Sequence, residues 1–457
     1  MRALHGAAAS FLLFFIVGLA LAWPALRWPM VYDDLHLLRT FAPEERARAW
    51  WGSWDPDGIE HPGLRPLTLL FNEARYRVFG ENVAAHRLFL LVLFAGYASL
   101  LVRVACLLGV PEPAAVAAGV LLLCSRYSVY HYTWLTDGNH LLQGLLFALA
   151  ALCLLRGLRG RAWPWRAASV AAFAGTVLVR EDSLALVPVL LLFGFVAAPQ
   201  WRALRGFAFA LLAVSLALFL YRSLAVPAAP PPGLDVKGFV VAAGRALNLV
   251  GPESFDGISR VLALTGDAAP VLVVAILLFR RRRIDARTPL LFLAASVLAC
   301  TPALTFRRDD MLFFPVSFAA LFYGSALWTL ARDHPAFRAV AAMLFAASVL
   351  GGAYVSRAFA LNFHPDSARA IRWNAQMLYG PYADGATIPP ERRAAFVGQL
   401  AAQGVASSAD LGALGARIGV ARAEGPFRPG RPDTLFFPPL PESLGGGIIG
   451  RAADGGK

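Results

Sequence analysis

Charge is scarce in this chain. Acidic and basic residues make up 16% of its 457 positions, where a soluble domain carries about 25%, so a water-soluble globular fold is excluded. Cysteine is scarce too. The four present, Cys106, Cys124, Cys153 and Cys300, lie in apolar stretches without metal-type spacing. That excludes a cysteine-ligated metal centre and marks them as small buried apolar side chains. Lysine occurs only at Lys237 and Lys457, so arginine carries the net charge of +13. No internal repeat is present, which excludes a repeat array.

What the chain has instead is apolar length. It is 58% hydrophobic, with a mean hydropathy of +0.57, and its apolar runs approach the roughly 20 residues needed to cross a bilayer. The pattern predicts an all-α integral membrane bundle of ten to eleven crossings: Gly6–Ala22, Ala85–Leu108, Pro113–Ser125, Leu141–Leu155, Trp163–Val179, Leu184–Ala198, Phe207–Leu224, Val261–Phe279, Thr288–Leu304, Met311–Leu330 and Phe337–Val355. The basic start at Arg2 and the run after Gly6 have the form of a signal peptide. A retained first helix is the expectation, because the chain that follows is itself multispan.

With the N-terminus in the cytoplasm, three arginine clusters fall inside: Arg156, Arg159, Arg161 and Arg166; Arg202 and Arg205; and Arg280 to Arg283 with Arg287. That agrees with the positive-inside tendency, so topology accounts for the charge and nucleic-acid binding is excluded as a function. The same alternation puts Asp33, Asp34, Asp137, Glu181, Asp182, Asp309 and Asp310 outside.

Residues 1–355 therefore read as a polytopic membrane domain with functional outer loops, and residues 356–457 as a polar, partly irregular tail on the non-cytoplasmic side. The first outer loop, Trp23 to Ala84, is expected to carry short interfacial helices with Trp50, Trp51 and Trp54 at headgroup level. A second outer loop opens on Pro227, Pro230, Pro231 and Pro232, a stiff extended entry.

Five outer clusters carry residues suited to chemistry. Tyr32-Asp33-Asp34, followed by His36, places two carboxylates at the mouth of a membrane helix, fit for acid–base work or for capping a helix. His61-Pro62-Gly63-Leu64-Arg65-Pro66-Leu67 holds an arginine between prolines, able to fork onto a phosphate or to meet lipid headgroups. Arg180-Glu181-Asp182 is a charge triplet at a helix end, and Arg307-Arg308-Asp309-Asp310 places arginines against the positive-inside trend. Tyr127, Tyr130, His131, Tyr132 and Trp134, with Asp137 and His140, read foremost as an interfacial aromatic belt.

The Asp pair after the first helix, the Arg-Pro-Leu segment in the same loop and the helix beginning near Ala85-His86-Arg87 together resemble the polyprenyl-phosphate-dependent glycosyltransferases of the GT-C fold. The O-mannosyltransferase-like branch, which includes the transmembrane-and-TPR mannosyltransferases, is the most similar. Arg180-Glu181 is similar to that branch's basic–acidic pair, and Arg308 through Pro315 to its Arg-Tyr-Leu-Tyr-Leu-Pro segment, here without the tyrosines and with no TPR array following. The resemblance spans roughly Gly6 to Leu330 as short motifs.

It implies a GT-C-like bundle that moves a sugar from a polyprenyl-phosphate donor to a protein, glycan or lipid acceptor, among membrane lipids, at the outer face of a bacterial inner (plasma) membrane. Asp33 or Asp34 would take the acceptor proton, with Asp34 the expected base. Arg65, Arg180, Arg307 and Arg308 would meet the departing phosphate. Glu181, His61 and His36 would orient substrate. No cofactor is required, and a divalent metal on the Asp pair is compatible without being demanded. A lipid-linked glycan transporter or flippase, and a non-catalytic membrane scaffold, are the other readings of the same residues.

The topology is directly testable. A cysteine introduced as Arg282→Cys is expected to resist a membrane-impermeant thiol reagent in intact cells, whereas cysteines at the Asp33 and Asp310 positions react. Outside labelling at position 282 would overturn the orientation.

Overall fold

The structure, a computed structural model, describes residues 2–52, 54, 63–160, 163–198, 201–226, 234–250, 257–279, 286–304, 309–333, 335–360, 370, 374, 375, 378, 388–402 and 407. All regular structure among them is helical. In chain order the helices are α1 (Arg2–Ala22), α2 (Asp34–Leu37), α3 (Pro43–Trp51), α4 (Pro66–Phe79), α5 (Val83–Leu107), α6 (Glu112–Cys124), α7 (Tyr130–Thr133), α8 (Asn139–Gly160), α9 (Trp163–Val179), α10 (Val187–Ala197), α11 (Trp201–Ala225), α12 (Val236–Leu247), α13 (Gly257–Phe279), α14 (Arg287–Ala299), α15 (Phe313–Asp333), α16 (Pro335–Ala360) and α17 (Pro390–Ala402).

Each of the eleven apolar runs is helical, and the chain is an integral, multi-pass membrane protein. Length and hydropathy qualify seven described segments as crossings: Gly6–Ala25, Val83–Leu107, Thr136–Gly160, Leu204–Ala225, Arg287–Leu304, Phe313–Arg332 and Phe337–Arg357. An eighth arises if α6 and the segment Arg126–Thr133, bent by 66° from it, count as one broken span. The remaining expected crossings are short. α10 has 11 residues behind a 3-10 turn at Glu181–Leu186, and the apolar part of α13 is Leu264–Leu277.

Local chemistry sets the helix starts. Asn82 accepts a hydrogen bond from Ala85 N at 3.1 Å and caps α5. Glu45 reaches back to Ala42 N at 2.8 Å to open α3. Pro66 supplies the first turn of α4, where a missing N–H is harmless.

α6 lies at the centre, packed against α1, α5, α15 and α16. Its sequence explains how a 13-residue helix can be so enclosed. Ala114, Ala115, Ala118 and Gly119 give it a small-residue face that lets neighbouring backbones approach closely. Gly324 of α15 uses that face: a Cβ added there would lie 2.6 Å from Ala114 O and 2.7 Å from Ala118 Cβ. α15 is deeply buried, with Val316, Phe318, Ala319, Phe322 and Ala326 wholly enclosed. Against lipid, by contrast, α11 shows Phe209, Leu212, Leu216 and Phe219 at helical spacing, all exposed.

The two ends of the bundle differ. At one end Arg159 donates to Leu107 O and Arg166 to Gly157 O, beside the Arg103–Glu112 pair. At the other end the segments between α1 and α5, between α6 and α8, and between α9 and α10 fold onto one another. α17, from the polar tail, packs there as well. The first loop does carry short helices, α3 and α4, but only Trp51 is exposed as expected of an interfacial residue; Trp54 is buried.

Gly324→Ala is expected to lower stability by about 1–3 kcal/mol, the usual cost of overpacking a tight contact. Gly206→Ala, on α11 with open space around it, is expected to leave the thermal midpoint unchanged or raised. Thermal unfolding of both proteins in the same detergent checks the pair.

Candidate functional site

The first loop builds the site around a reversed turn. Tyr32 adopts φ +52°, a left-handed conformation uncommon for a side chain of its size, and its N–H donates to Asn374 Oδ1 at 2.9 Å. Asp33 follows, half-buried, and Asp34 opens α2. The reversal turns the Asp34 carboxylate back into the protein. It accepts from Val31 N at 3.2 Å, Thr136 N at 2.8 Å and Leu135 N at 3.4 Å, and Asp34 has no exposed surface. Burial pushes its carboxyl up from the ordinary aspartate range, while the Thr136 and Val31 N–H groups and Arg87 pull against that. Asp34 is a structural anchor with both oxygens engaged, and Asp33 is the member with exposed surface.

Two buried arginines complete the hold on the segment between α6 and α8, the second of the three loops that meet at this end (the first joins α1 to α5, the third α9 to α10). Arg75 donates through Nη2 to Leu135 O at 2.9 Å and to Asn72 Oδ1 at 2.7 Å, with its guanidinium 4.6 Å from the Phe71 ring centre. Burial lowers its pKa to about 9, against the opposing pull of Asp34. Arg87, wholly buried on α5, donates to Leu26 O, Trp28 O and Pro29 O of the first loop and to Thr133 O of the second. The Leu135 peptide is thus held at its N–H by Asp34 and at its C=O by Arg75. A buried peptide group left unpaired costs about 1–3 kcal/mol, so these contacts fix where the second loop lies.

The third loop joins through two charge pairs. Arg65, just ahead of Pro66, forks onto Glu181 with Nε–Oε2 2.9 Å and Nη2–Oε1 3.0 Å, across 116 residues of sequence. Its guanidinium lies 5.5 Å from the Trp54 ring centre. Gly63 eases this approach: a Cβ there would meet Glu181 Oε1 at 3.0 Å, Arg65 Nε at 3.1 Å and Trp54 Cδ1 at 3.2 Å, so the three side chains would have to give by a few tenths of an ångström.

Beside this fork, Arg180 places Nε and Nη2 each 3.2 Å from Asp182 Oδ2. Gln143 of α8 donates to Asp182 Oδ1 at 2.8 Å and to Ser183 Oγ at 2.7 Å, while its Oε1 lies 3.1 Å from His140 Nδ1. Asp137 then sits between two histidines, 3.4 Å from His140 Nε2 and 2.9 Å from His131 Nδ1. His131 packs edge-on against Phe313, which opens α15. Burial alone would raise the Asp182 carboxyl, but Arg180, His140 and Arg65 outweigh it and hold the group below its ordinary value of 3.8.

A small cleft of about 10 Å³ lies beside the fork, lined by Leu64, Val177, Leu178, Leu184 and Leu218, with Glu181 and Arg222 as its charged residues. Among the described residues no group of three or more His, Cys, Asp or Glu side chains is arranged to hold a metal ion.

Of the expected site residues, Arg65 and Glu181 come together directly, and the Asp33–Asp34 turn is tied to them through Thr136, Asp137, His140, Gln143 and Asp182. Arg180, expected at the phosphate, is 2% exposed and pairs with Asp182. His36, expected to orient substrate, is 1% exposed on α2. The aromatic loop is not an interfacial belt: Tyr127, Tyr130, His131 and Tyr132 are buried around the polar chain. His61, Arg307 and Arg308 lie outside the described residues. Sequence reasoning passed over Arg75, Gln143, Asn374 and Arg392. Gln143 alone left a signal, as a polar side chain inside an apolar span.

No family model matches this chain, and no curated protein does. Among solved structures it is similar to ArnT from Cupriavidus metallidurans bound to undecaprenyl phosphate, with 16% identity over 92% of this chain and 83% of that one, and a TM-score of 0.42. A likeness of that degree carries no argument about fold or chemistry.

Because its folded-state pKa is lowered, Asp182 contributes stability that is fully present above 3.8 and is lost as pH falls through the folded value. The wild-type thermal midpoint is therefore expected to drop between pH 7 and about pH 3 more steeply than that of Asp182→Asn, which has lost the contribution already at pH 7.

Proposed function

We propose that this protein transfers a sugar from a polyprenyl-phosphate donor to an acceptor hydroxyl at the non-cytoplasmic face of the membrane. The observation that carries the reading is the convergence, at one end of the bundle, of the Asp33 turn with the Arg65–Glu181 fork beside a cleft that is apolar along its walls and charged at Glu181 and Arg222. The lining, apolar walls with an arginine among them, matches the chemistry of a greasy chain with an anionic head, which the small cleft would have to widen to admit. The motif resemblance of the sequence to polyprenyl-phosphate glycosyltransferases supports the same reading, as does the arginine alternation, which puts this end outside.

In the proposed step, Asp33 accepts the proton of the acceptor hydroxyl as its oxygen bonds to the anomeric carbon. The bond from that carbon to the phosphate oxygen breaks, and the phosphate leaves with the electron pair. Attack and departure on opposite faces invert the anomeric centre. The sugar is oxocarbenium-like in between. Charge grows on the departing phosphate, where Arg65, paired to Glu181 of the cleft, and Arg222 of its lining would meet it, joined by Arg307 and Arg308 from the sequence before α15. Glu181 holds the Arg65 fork in one orientation, so little side-chain ordering is left for the reaction itself. Asp34 contributes by fixing the turn that presents Asp33.

This division of labour has separable consequences. Asp33→Asn is expected to lower the single-turnover rate by about 10²–10⁴-fold while donor affinity is kept. Arg65→Ala is expected to weaken donor binding and slow transfer together, because the arginine meets charge in both the bound donor and the leaving phosphate. Asp34→Asn is expected to lose thermal stability along with activity. Single-turnover kinetics, donor binding and thermal unfolding on the three purified variants check the set. An Asp33→Asn protein with normal turnover would exclude Asp33 as the base and favour a transporter or scaffold.

A further inference from the structure

α2 is a single turn, Asp34–Leu37. A helix that short leaves most of its carbonyls without intrahelical partners, and all its residues are buried away from water. A side chain from the polar tail supplies donors. Arg392, in the first turn of α17, donates through Nη1 to Leu35 O at 2.7 Å and Asp34 O at 3.3 Å, and through Nη2 to Leu38 O at 2.9 Å and to Glu81 Oε1. It is 6% exposed. α17 is seated by Phe396 and Leu400, both buried.

A second contact comes from another part of the tail. Asn374, 1% exposed, accepts the N–H of Tyr32. Tyr32 is the left-handed residue that reverses the chain immediately before Asp33. The turn is therefore gripped on both flanks, at Tyr32 by Asn374 and at Asp34 to Leu38 by Arg392, with Asp33 between them. The grip reaches the first loop from more than 340 residues away in sequence.

We propose that the C-terminal tail is a positioning clamp for Asp33, with Arg392 and Asn374 acting through the turn and not on substrate. This rests on the function proposed above, in which Asp33 takes the acceptor proton. The tail governs the chemical step and leaves donor binding to the Arg65 cleft. A guanidinium is needed because its planar fork reaches carbonyls one turn apart at once, which an ammonium point charge does less well.

The test uses the full-length protein in lipid nanodiscs, with Arg392→Ala, Arg392→Lys and Asn374→Ala, and with Arg393→Ala, an exposed neighbour on the same helix, as control. Hydrogen exchange of the amides from Val31 to Leu38 is measured beside single-turnover transfer and donor affinity. The clamp predicts faster exchange in this segment for the Arg392→Ala and Asn374→Ala proteins. It also predicts a transfer rate reduced on the order of tenfold to a hundredfold, donor affinity within about twofold of wild type, partial rescue by Arg392→Lys, and no change in Arg393→Ala. If Arg392→Ala does not fold, Arg392→Lys and Asn374→Ala decide. Unchanged exchange, or faster exchange with normal transfer, overturns the clamp. If wild-type protein transfers no sugar, the functional reading falls, and exchange alone decides whether the tail holds the turn.

Discussion

The peptide groups of Leu135 and Thr136 lie buried at one end of a membrane bundle, at the start of a 3-10 turn whose own bonds reach their carbonyls, through Gly138 and Asn139 N–H, and leave their N–H groups to a side chain. Asp34 takes their N–H groups, Arg75 takes the Leu135 carbonyl, and Arg87 binds the Thr133 carbonyl two residues earlier. Each of these side chains belongs to the first loop or to the helices that follow it. The need to satisfy buried backbone therefore dictates that the first and second loops form one unit. Removing Asp34 would strand two buried N–H groups and leave Arg75 and Arg87 without the opposite charge near them, which is why the cluster fixes geometry even where its net contribution to stability is small.

From that unit the rest of the end follows. With Leu135 and Thr136 held, Asp137 sits between His131 and His140, and Gln143 below them reaches Asp182. Asp182 neutralises Arg180 and leaves the adjacent Glu181 turned to Arg65. The neighbouring acids of one triplet thus serve different arginines. Arg180 is consumed inside the protein, and Arg65 is kept at the cleft with 15% of its side chain exposed. A polar network this connected transmits a defect readily. It gives a physical reason for three loops far apart in sequence to behave as one site.

The helices were legible because lipid demands long apolar runs, and all eleven runs are helical. Their count as crossings was less legible. α6, whose small residues let it sit enclosed at the centre, has the same apolar composition as a lipid-facing helix, so hydropathy alone cannot tell centre from periphery. The Asp33–Asp34 pair and the Arg65 and Glu181 positions were legible as charges with no business in an apolar chain. Which aspartate turns inward was not, because that depends on the left-handed Tyr32, a residue type that gives no warning of such a conformation. The burial of Arg180 was not legible for a related reason: its partner is two residues away, and adjacent opposite charges read as a solvated helix end. Arg392 was invisible, since Glu391-Arg392-Arg393 has the look of an exposed charge run and only the packing of Phe396 and Leu400 buries one member of it.

The central claim is that this end of the bundle breaks and makes a glycosidic bond, as opposed to moving an intact glycolipid. The most direct measurement removes the second compartment. Purified protein in detergent micelles, supplied with a polyprenyl-phosphate sugar and an acceptor alcohol, is assayed for free polyprenyl phosphate and for the anomeric configuration of the product. The account predicts stoichiometric release of polyprenyl phosphate and inversion at the anomeric carbon. Donor that remains intact in micelles while the same protein carries it across the bilayer of proteoliposomes would contradict it.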